Sequence, residues 1–585
     1  MSSSKTPAEK FRHEVIKTMA NSIRVAPEKI DAALEKPPES TGAELALPCY
    51  SFAKERGKSP VEAANNIVKS IKKSRLVARA QAFGPYINFY ADWNLMNTIV
   101  LEMILSEDES YGCRKQNKPE KIMVEYSSPN TNKPLHLGHL RNDALGMALS
   151  NILESVGYRV TKAILYSNRG MGISKCMLAY DNWGRGRKPG KKKPDQFVGD
   201  FYTMFEKRKS KGLEKKLQET LRKWEEGDSK TRTLWKMMDS WVIDGFKQTY
   251  KAFGSEFDVE FRESDFYDKA GPIIKRGLKK KVFFRDYDGA IVADLEKQKL
   301  GKKVILRPDG TSVYITNDLT LTPHKFEKFN IDRSVWVVGS EQDLYFQQLF
   351  KILELLGYSW ARPEKGMCMH YSYGLVYLPE GKMKSREGDV VDADEIMDEM
   401  AGLAKKEILK REKGIRKKEL EKRARAIGIG ALKYFLLKMD HRKNIHFKPK
   451  ESVSFEGDTG PYIQYSHARA CSILRKAGRA SSGPNFDAKR LKHEKEKVLI
   501  QKLMEFPETV EKAAKYLKPN YIANYAHGLA TYFNDFYEAV PVVKGDSVQR
   551  GHREIRKARL ALVKAAAITL RNALALLGIE APERM

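Results

Sequence analysis

KIMVEYSSPNTNKPLHLGH, residues 121–139, decides how the chain reads. Residues 121–126 are a short apolar run with strand character, broken by Ser, Pro and Asn. From His139 on, Leu140, Leu145, Leu149, Ile152 and Leu153 recur at helical spacing until Gly157, a natural stop. A strand that feeds a helix through a tight turn suits phosphate, because free N–H groups and the positive end of the helix dipole face the turn. His136 and His139 share one face of that helix start. Both imidazoles are placed to donate to phosphate oxygens as charge grows on them during attack. Gly138 between them lets a flat base approach the backbone closely.

Outward from this stretch the βα pattern continues. Residues 160–166, 313–316 and 334–338 read as strands, 344–356 as a helix ending at Gly357, and a further short strand precedes Gly374. Strands separated by helices predict a doubly wound parallel sheet of the Rossmann type, with ligands at the carboxyl ends of its strands. Residues 181–238 interrupt the pattern with charged sequence that reads as irregular. Within it RGRKPGKKKP, residues 185–194, is a basic loop; contact with RNA and a solvated insertion are equally open readings. Residues 1–115 read as a separate α+β module, with helical spacing over 11–21 and 61–73, a loop or strand edge over 36–48 and a strand over 86–90 after Gly84-Pro85. After Asp392 the chain turns helical. Residues 401–425 carry eleven Lys/Arg against four Glu, a solvated face or a phosphate-facing one. The last helix spans 554–577. The expected divisions are 1–115, a catalytic domain over 116–395 with an inserted segment at about 175–260, a helical connector over 396–455, and an all-α domain over 456–585.

At 585 residues the chain is too long for one core. Its 105 Lys+Arg against 75 Asp+Glu give +30, which favours a polyanionic partner such as tRNA, rRNA, DNA or an anionic membrane. No apolar run approaches the roughly 18 residues of a membrane span, and the start MSSSKTPAEKF lacks a secretory apolar stretch, so a cytoplasmic protein is expected. Five scattered cysteines form no CxxC pair, and no HExxH occurs, so neither a metal site nor a disulfide framework is expected.

A second signal is GKMKSREG, residues 381–388: Lys382, Lys384, Arg386 and the hydroxyl of Ser385 between two glycines, after a strand. Such a loop can fold over a triphosphate and release with pyrophosphate. HLGH and this loop together resemble the two signature motifs of class I aminoacyl-tRNA synthetases. Several stretches then resemble the arginyl-tRNA synthetase family: EYSSPN at 125–130, Asn132-Lys133-Pro134 before HLGH, YITND at 314–318, GSEQD at 339–343, DTGPYIQY at 458–465 and the closing LGIEAPERM at 577–585. The resemblance covers residues 121–585 well; residues 1–115 are similar to the family's added N-terminal domain only in size, basicity and pattern.

The resemblance implies that the chain activates L-arginine with ATP, carried as its Mg²⁺ complex, and transfers it to tRNA-Arg. It implies a monomer whose all-α domain binds the anticodon arm and whose N-terminal module touches the outer corner of the tRNA. It further implies that tRNA must be bound before arginine is activated. It places His136, His139, Lys133, Lys382, Lys384 and Arg386 in catalysis. Pro129, Gly138, Gly339, Glu341, Val376, Met383 and Ser385, with His136, His139 and Lys382, fall at ATP. Glu125, Ser127, Asn130, Tyr314, Asp318 and Gln342 fall around arginine. These types suit a guanidinium, a five-donor fork best held by carboxylates and amide oxygens. Two departures stand out. The second motif reads KMKSR where the class has Lys-Met-Ser-Lys, and Lys133 is the residue expected to compensate. Ser167-Asn168-Arg169-Gly170 departs from the family's usual Asn-Asp before Gly, so Asn168 is left out of the site. In the all-α domain Tyr462, Tyr465, Tyr532, Phe533 and Tyr537 are available for base stacking, or are core. Rival readings are another class I synthetase, although a cysteine enzyme should carry a Cys/His zinc set; a small nucleotidyltransferase using HxGH; and a non-catalytic RNA-binding paralogue, which ATP binding would separate.

Overall fold

The computed structural model describes residues 6–55, 57–72, 74–378, 391–478, 485–542 and 550–585. Strands β1 (Leu45–Pro48), β2 (Val77–Phe83) and β3 (Tyr86–Ala91) form an antiparallel sheet in the order β1-β3-β2. Gly84 takes the positive φ of 53° that the tight β2–β3 hairpin needs. Helices Pro7–Ile23 and Pro60–Ser70, each opened by a capping box at Thr6 and Ser59, pack Phe11, Val15, Met19, Ala63 and Ile67 against Ile87 and Phe89. The expected α+β module is therefore present, with β1 and β2 flanking the strand expected at 86–90.

The central sheet is built from β4 (Lys121–Glu125), β5 (Arg159–Tyr166) and β6 (Val259–Arg262). A small antiparallel sheet follows, β7 (Phe283–Arg285), β8 (Ile291–Asp294) and β9 (Lys302–Leu306), before β10 (Arg333–Gly339) and β11 (Cys368–Tyr373) complete the central one. Its order is β11-β10-β4-β5-β6, every pair parallel. The chain starts in the middle at β4, winds one way through β5 and β6, then returns to the other side, so the switch point lies between β4 and β10. Ligands in such sheets sit there, beyond the carboxyl ends. Two short strands, β12 (Val376–Tyr377) and β13 (Ile445–His446), pair in parallel beside it.

Three readings are corrected. Residues 181–238 are not irregular: helices Pro194–Lys207, Lys211–Glu225 and Ser229–Phe253 fill the β5–β6 crossover, burying Phe201, Phe205, Leu217, Trp224 and Trp235 beneath a charged surface. Residues 313–316 are not a strand but the start of helix Tyr314–Phe329. There the Thr316 hydroxyl accepts the Val313 N–H at 3.0 Å and donates to the Ile305 carbonyl at 2.5 Å, so β-branched residues cap rather than extend. The β7–β9 sheet had no counterpart in the sequence reading. Beyond residue 391 the chain is helical, and helices Ala393–Arg411 and Lys417–Leu437 pack as a pair. Helices Gly460–Ala477, Pro519–Ala539 and Arg550–Leu576 pack together in the last bundle.

Candidate active site

Helix Leu137–Ser155 begins with its two histidines capping one another's turn. His136 Nδ1 accepts the Gly138 N–H at 3.1 Å, and His139 Nδ1 accepts the His136 N–H at 3.1 Å. The arrangement is a capping box made of imidazoles. A backbone N–H can only donate, so both Nδ1 atoms are acceptors and each ring carries its proton on Nε2. Neither Nε2 has a partner among the described residues. Burial, with the Lys133 ammonium nearby, pushes His136 down to about 4; burial, then His136 and Lys133, holds His139 well below the usual imidazole range. At neutral pH the pair is two uncharged N–H donors with ring centroids 3.9 Å apart. A Cβ on Gly138 would sit 2.9 Å from His136 Cε1, so glycine here makes room for the ring that caps it.

The turn before this helix is strained and stitched. Ser127 and Ser128 have φ of 76° and 43°, the left-handed region, without being glycine. Asn142, on the helix, holds them: its Oδ1 accepts the Ser127 N–H at 2.7 Å, while its Nδ2 donates to the Val337 carbonyl at 2.7 Å on β10 and to the Tyr373 hydroxyl at 3.0 Å on β11. Ser127 itself is buried with its hydroxyl 2.8 Å from that of Tyr250, so its side chain is committed to the interior. Pro129 is buried and Asn130 exposed, their backbone bridged to Ser167 at the end of β5. Lys133 is exposed.

The first motif also fixes the chain on either side of the second. Arg141 is fully buried, and its guanidinium donates to four carbonyls, those of Gly374, Leu375, His441 and Lys443, with no carboxylate partner. This anchors Val376, at the root of the second motif. On the far side Val391 accepts the Leu137 N–H at 3.1 Å and Ala393 donates to Leu135 at 2.9 Å, so the chain re-enters beside His136. Lys382, Met383, Lys384, Ser385 and Arg386 lie outside the described residues. Gly339, half-buried at the end of β10, and exposed Glu341 and Gln342 line the other lip of the switch point.

Beneath the turn lies an acidic pocket. Asp318 and Tyr314 stand one turn apart on helix Tyr314–Phe329, Asp318 half-buried and Tyr314 61% exposed at the mouth. The Tyr345 hydroxyl donates to Asp318 Oδ2. Glu125, at the end of β4, is buried and pairs with Lys325 at 2.5 Å. Glu263, just after β6, is buried and accepts the Ser167 hydroxyl at 3.0 Å. Burial, opposed by the Tyr345 hydrogen bond and aided by the charge on Glu125, pushes Asp318 up to about 6; burial, with Asp318 facing it, pushes Glu263 up to about 7. Three desolvated carboxylates that feel one another, with one internal lysine, make a site that gains from a ligand cation. Sequence reasoning missed Glu263, Lys325, Tyr345, Asn142 and Arg141, because each acts through a long-range contact. Asn168, set aside from the sequence, is buried and bonds Asp239 and Ser264 at 3.1 Å each, tying the insertion to the sheet.

Family models match the chain end to end: arginyl tRNA synthetase N terminal domain over residues 8–91, tRNA synthetases class I (R), catalytic domain over 100–448, and DALR anticodon binding domain over 463–585. The chain belongs to the arginyl-tRNA synthetase family. It is similar to the arginine–tRNA ligase of Treponema denticola, 39% identical over 576 residues that cover 96% of each chain. It is similar also to that of Porphyromonas gingivalis, 41% identical over 581 residues, 94% of this chain and 95% of the relative. Among solved structures it resembles the Thermus thermophilus arginyl-tRNA synthetase with a TM-score of 0.79 at 26% identity, covering 98% of this chain and 100% of that one. The family assignment accounts for the last bundle too. Tyr465, Arg469, Tyr537, Arg584 and the terminal Met585 line a groove of about 1010 Å³, with the Arg469 guanidinium 4.8 Å and 5.3 Å over the rings of Tyr465 and Tyr537. Tyr532 is exposed and Tyr462 half-buried, whereas Phe533 is fully buried and belongs to the core. No helix among the described residues is long and apolar enough to cross a membrane.

Proposed function

We infer that the chain ligates arginine to tRNA-Arg, with the acidic pocket as the arginine site and the HLGH turn as the phosphate site. The reading rests on one observation: the pocket of Glu125, Asp318 and Glu263, two of whose carboxylates are raised toward neutrality, lies at the switch point beside two neutral imidazole donors. Arginine enters with its guanidinium toward Asp318 and Glu263 under the ring of Tyr314, and its α-amino group toward Glu125 and Asn130. Gln342 closes the other side. Its carboxylate then faces the α-phosphorus of Mg·ATP, attacks in line and expels pyrophosphate, giving arginyl-adenylate. No side-chain nucleophile takes part; position and charge stabilisation carry the step. His136 and His139 donate through Nε2–H to phosphate oxygens, and Lys133 supplies the cation that KMKSR lacks at the class's second lysine. The residues of that loop, Lys382, Lys384 and Arg386, act on the triphosphate. Mg²⁺ travels with ATP. The 2′-hydroxyl of the terminal tRNA ribose next attacks the acyl carbon and AMP leaves. Anticodon bases stack in the Tyr465–Tyr537 groove, and exposed Tyr50 and Phe83 offer ring faces to the tRNA corner.

The experiment is a substrate comparison. Citrulline matches arginine in shape but carries a neutral urea group. With tRNA-Arg present, pyrophosphate exchange should prefer arginine over citrulline by at least about 10³-fold, since buried carboxylates left unpaired penalise the analogue. Equal use of the two would remove the carboxylates from recognition.

A further inference from the structure

Lys325 is the only internal cation paired to a carboxylate of this pocket among the described residues, and nothing in the mechanism above uses it. It lies two helical turns beyond Asp318, on the same face of helix Tyr314–Phe329. Its side chain is 1% exposed and that of Glu125 5% exposed, with Nζ 2.5 Å from Oε2. The ammonium also sits 4.8 Å from the ring of Trp336 and 5.6 Å from that of Phe261, closed off from solvent. A buried ion pair stabilises a fold little better than an apolar pair of equal volume, so stability is a poor account of it. Its placement is a better one. Lys325 takes only Oε2 of Glu125, and so turns the carboxylate while leaving Oε1 to a ligand.

The charges balance in a telling way. Glu125, Asp318 and Glu263, when ionised, with Lys325, sum to −2. Arg169, which also faces Glu263, is neutralised by Glu225 at 2.7 Å. Two further cations lie farther out, Lys303 at 5.0 Å over the Tyr345 ring and Arg307 near Tyr314, and among the described residues neither forms an ion pair with the three carboxylates; Tyr314, Tyr345 and Cys368 are uncharged at neutral pH. Arginine presents two cations to the pocket, guanidinium and α-ammonium, while its carboxylate points to ATP. We propose that Lys325 is a positioning and specificity-setting residue, aiming Glu125 and holding the pocket at the charge that the two cations of arginine neutralise. The proposal rests on the arginine-pocket reading above. Without Lys325 the fully ionised pocket would stand at −3 and would hold its protons to higher pH than the wild-type pocket does, and arginine would have to displace them.

The test measures the arginine KM in tRNA charging from pH 6 to 9, at saturating ATP and tRNA, for wild type, Lys325→Met, Lys325→Arg and the double variant Glu125→Gln/Lys325→Met. Lys325→Met should raise the arginine KM by about 10²-fold at pH 7 while the KM values for ATP and tRNA stay within about twofold. The pH below which KM climbs should move up by at least about one unit, the effect of a lost neighbouring charge. Lys325→Arg should return that pH to the wild-type position. The double variant, again at −2, should also show the wild-type limb, although its KM stays high because Glu125 is gone. An unmoved limb and a KM within threefold in Lys325→Met would overturn the proposal. So would a loss in which the double variant keeps the shifted limb; because the double variant removes both partners of the buried ion pair, it decides the matter even where Lys325→Met does not fold. A wild-type protein that charges a different amino acid would overturn the pocket reading itself, and this proposal with it.

Discussion

Replacing Asp318 by Asn isolates the charge of the acidic pocket from its shape. The side chains are isosteric, and the Tyr345 hydroxyl that donates to Asp318 Oδ2 can donate to the amide oxygen instead. What is lost is the anion proposed to face the guanidinium. A hydrogen bond to a charged group contributes about 1.5–3 kcal/mol, and each 1.4 kcal/mol is tenfold, so losing a bidentate pair should lower kcat/KM for arginine by at least about 10²-fold. The same variant should change the pH profile. In the free protein Asp318 sits up at about 6 and Glu263 at about 7, both raised by burial. A raised carboxyl holds its proton to higher pH, and arginine requires it ionised, so kcat/KM should be level above about pH 7 and fall as the pH drops through 7 and then 6. The limb should steepen toward two protons in the wild type and toward one in Asp318→Asn. The assay is initial-rate charging at limiting arginine, read against the wild type at each pH, so that titration of ATP or tRNA cancels. A folded Asp318→Asn within threefold of wild type, or an acid limb of unchanged steepness, would refute the reasoning.

The other predictions follow from the HLGH turn and its surroundings. Lys133→Ala should slow adenylate formation far more than it weakens tRNA binding; equal losses in pre-steady-state activation and in tRNA affinity would make it a tRNA contact. His136→Asn should keep an acceptor for the Gly138 N–H yet lose the Nε2–H donor, cutting kcat by about 10²–10³-fold at unchanged stability, whereas His136→Ala should lose about 1 kcal/mol of helix capping as well, measured by urea unfolding. The loop at residues 185–193 holds six cations and no acid; Lys192 and Lys193 are paired, Arg187 is tied to backbone carbonyls, and Arg185, Lys188 and Lys191 are exposed. Lys193 reaches Asp394 beside the HLGH turn, which puts this loop at the mouth of the cleft. Reversing Arg185, Lys188 and Lys191 should raise the tRNA KM about tenfold and lower its logarithmic salt slope by about 2–3, with the arginine KM unmoved.

What could be read from the sequence was local. The strand, turn and helix around residues 121–155 follow from apolar spacing, Pro and Gly within a few residues of one another, and the structure moves their bounds by only one or two positions. The pocket was half legible: Glu125, Tyr314 and Asp318 came through resemblance. Glu263 and Lys325 were hidden, because the sheet must assemble before Glu263 meets Ser167, 96 positions away, or Lys325 meets Glu125, 200 positions away. Helix Lys211–Glu225 escaped because its buried side is only Leu217 and Trp224 among charged residues, so polarity masked the period. Residues 313–316 misled for the opposite reason, a β-branched run used as a cap. The strands β7–β9 are three to five residues each, too short to show an alternation.

The central claim, that the acidic pocket selects arginine for transfer to tRNA, is tested most directly by charging total tRNA with one labelled amino acid at a time, with pyrophosphate exchange run beside it with and without tRNA. The account predicts acylation by arginine alone, and exchange with arginine only when tRNA is present. Acylation by any other amino acid, or none by arginine from a folded protein that binds tRNA, would contradict it.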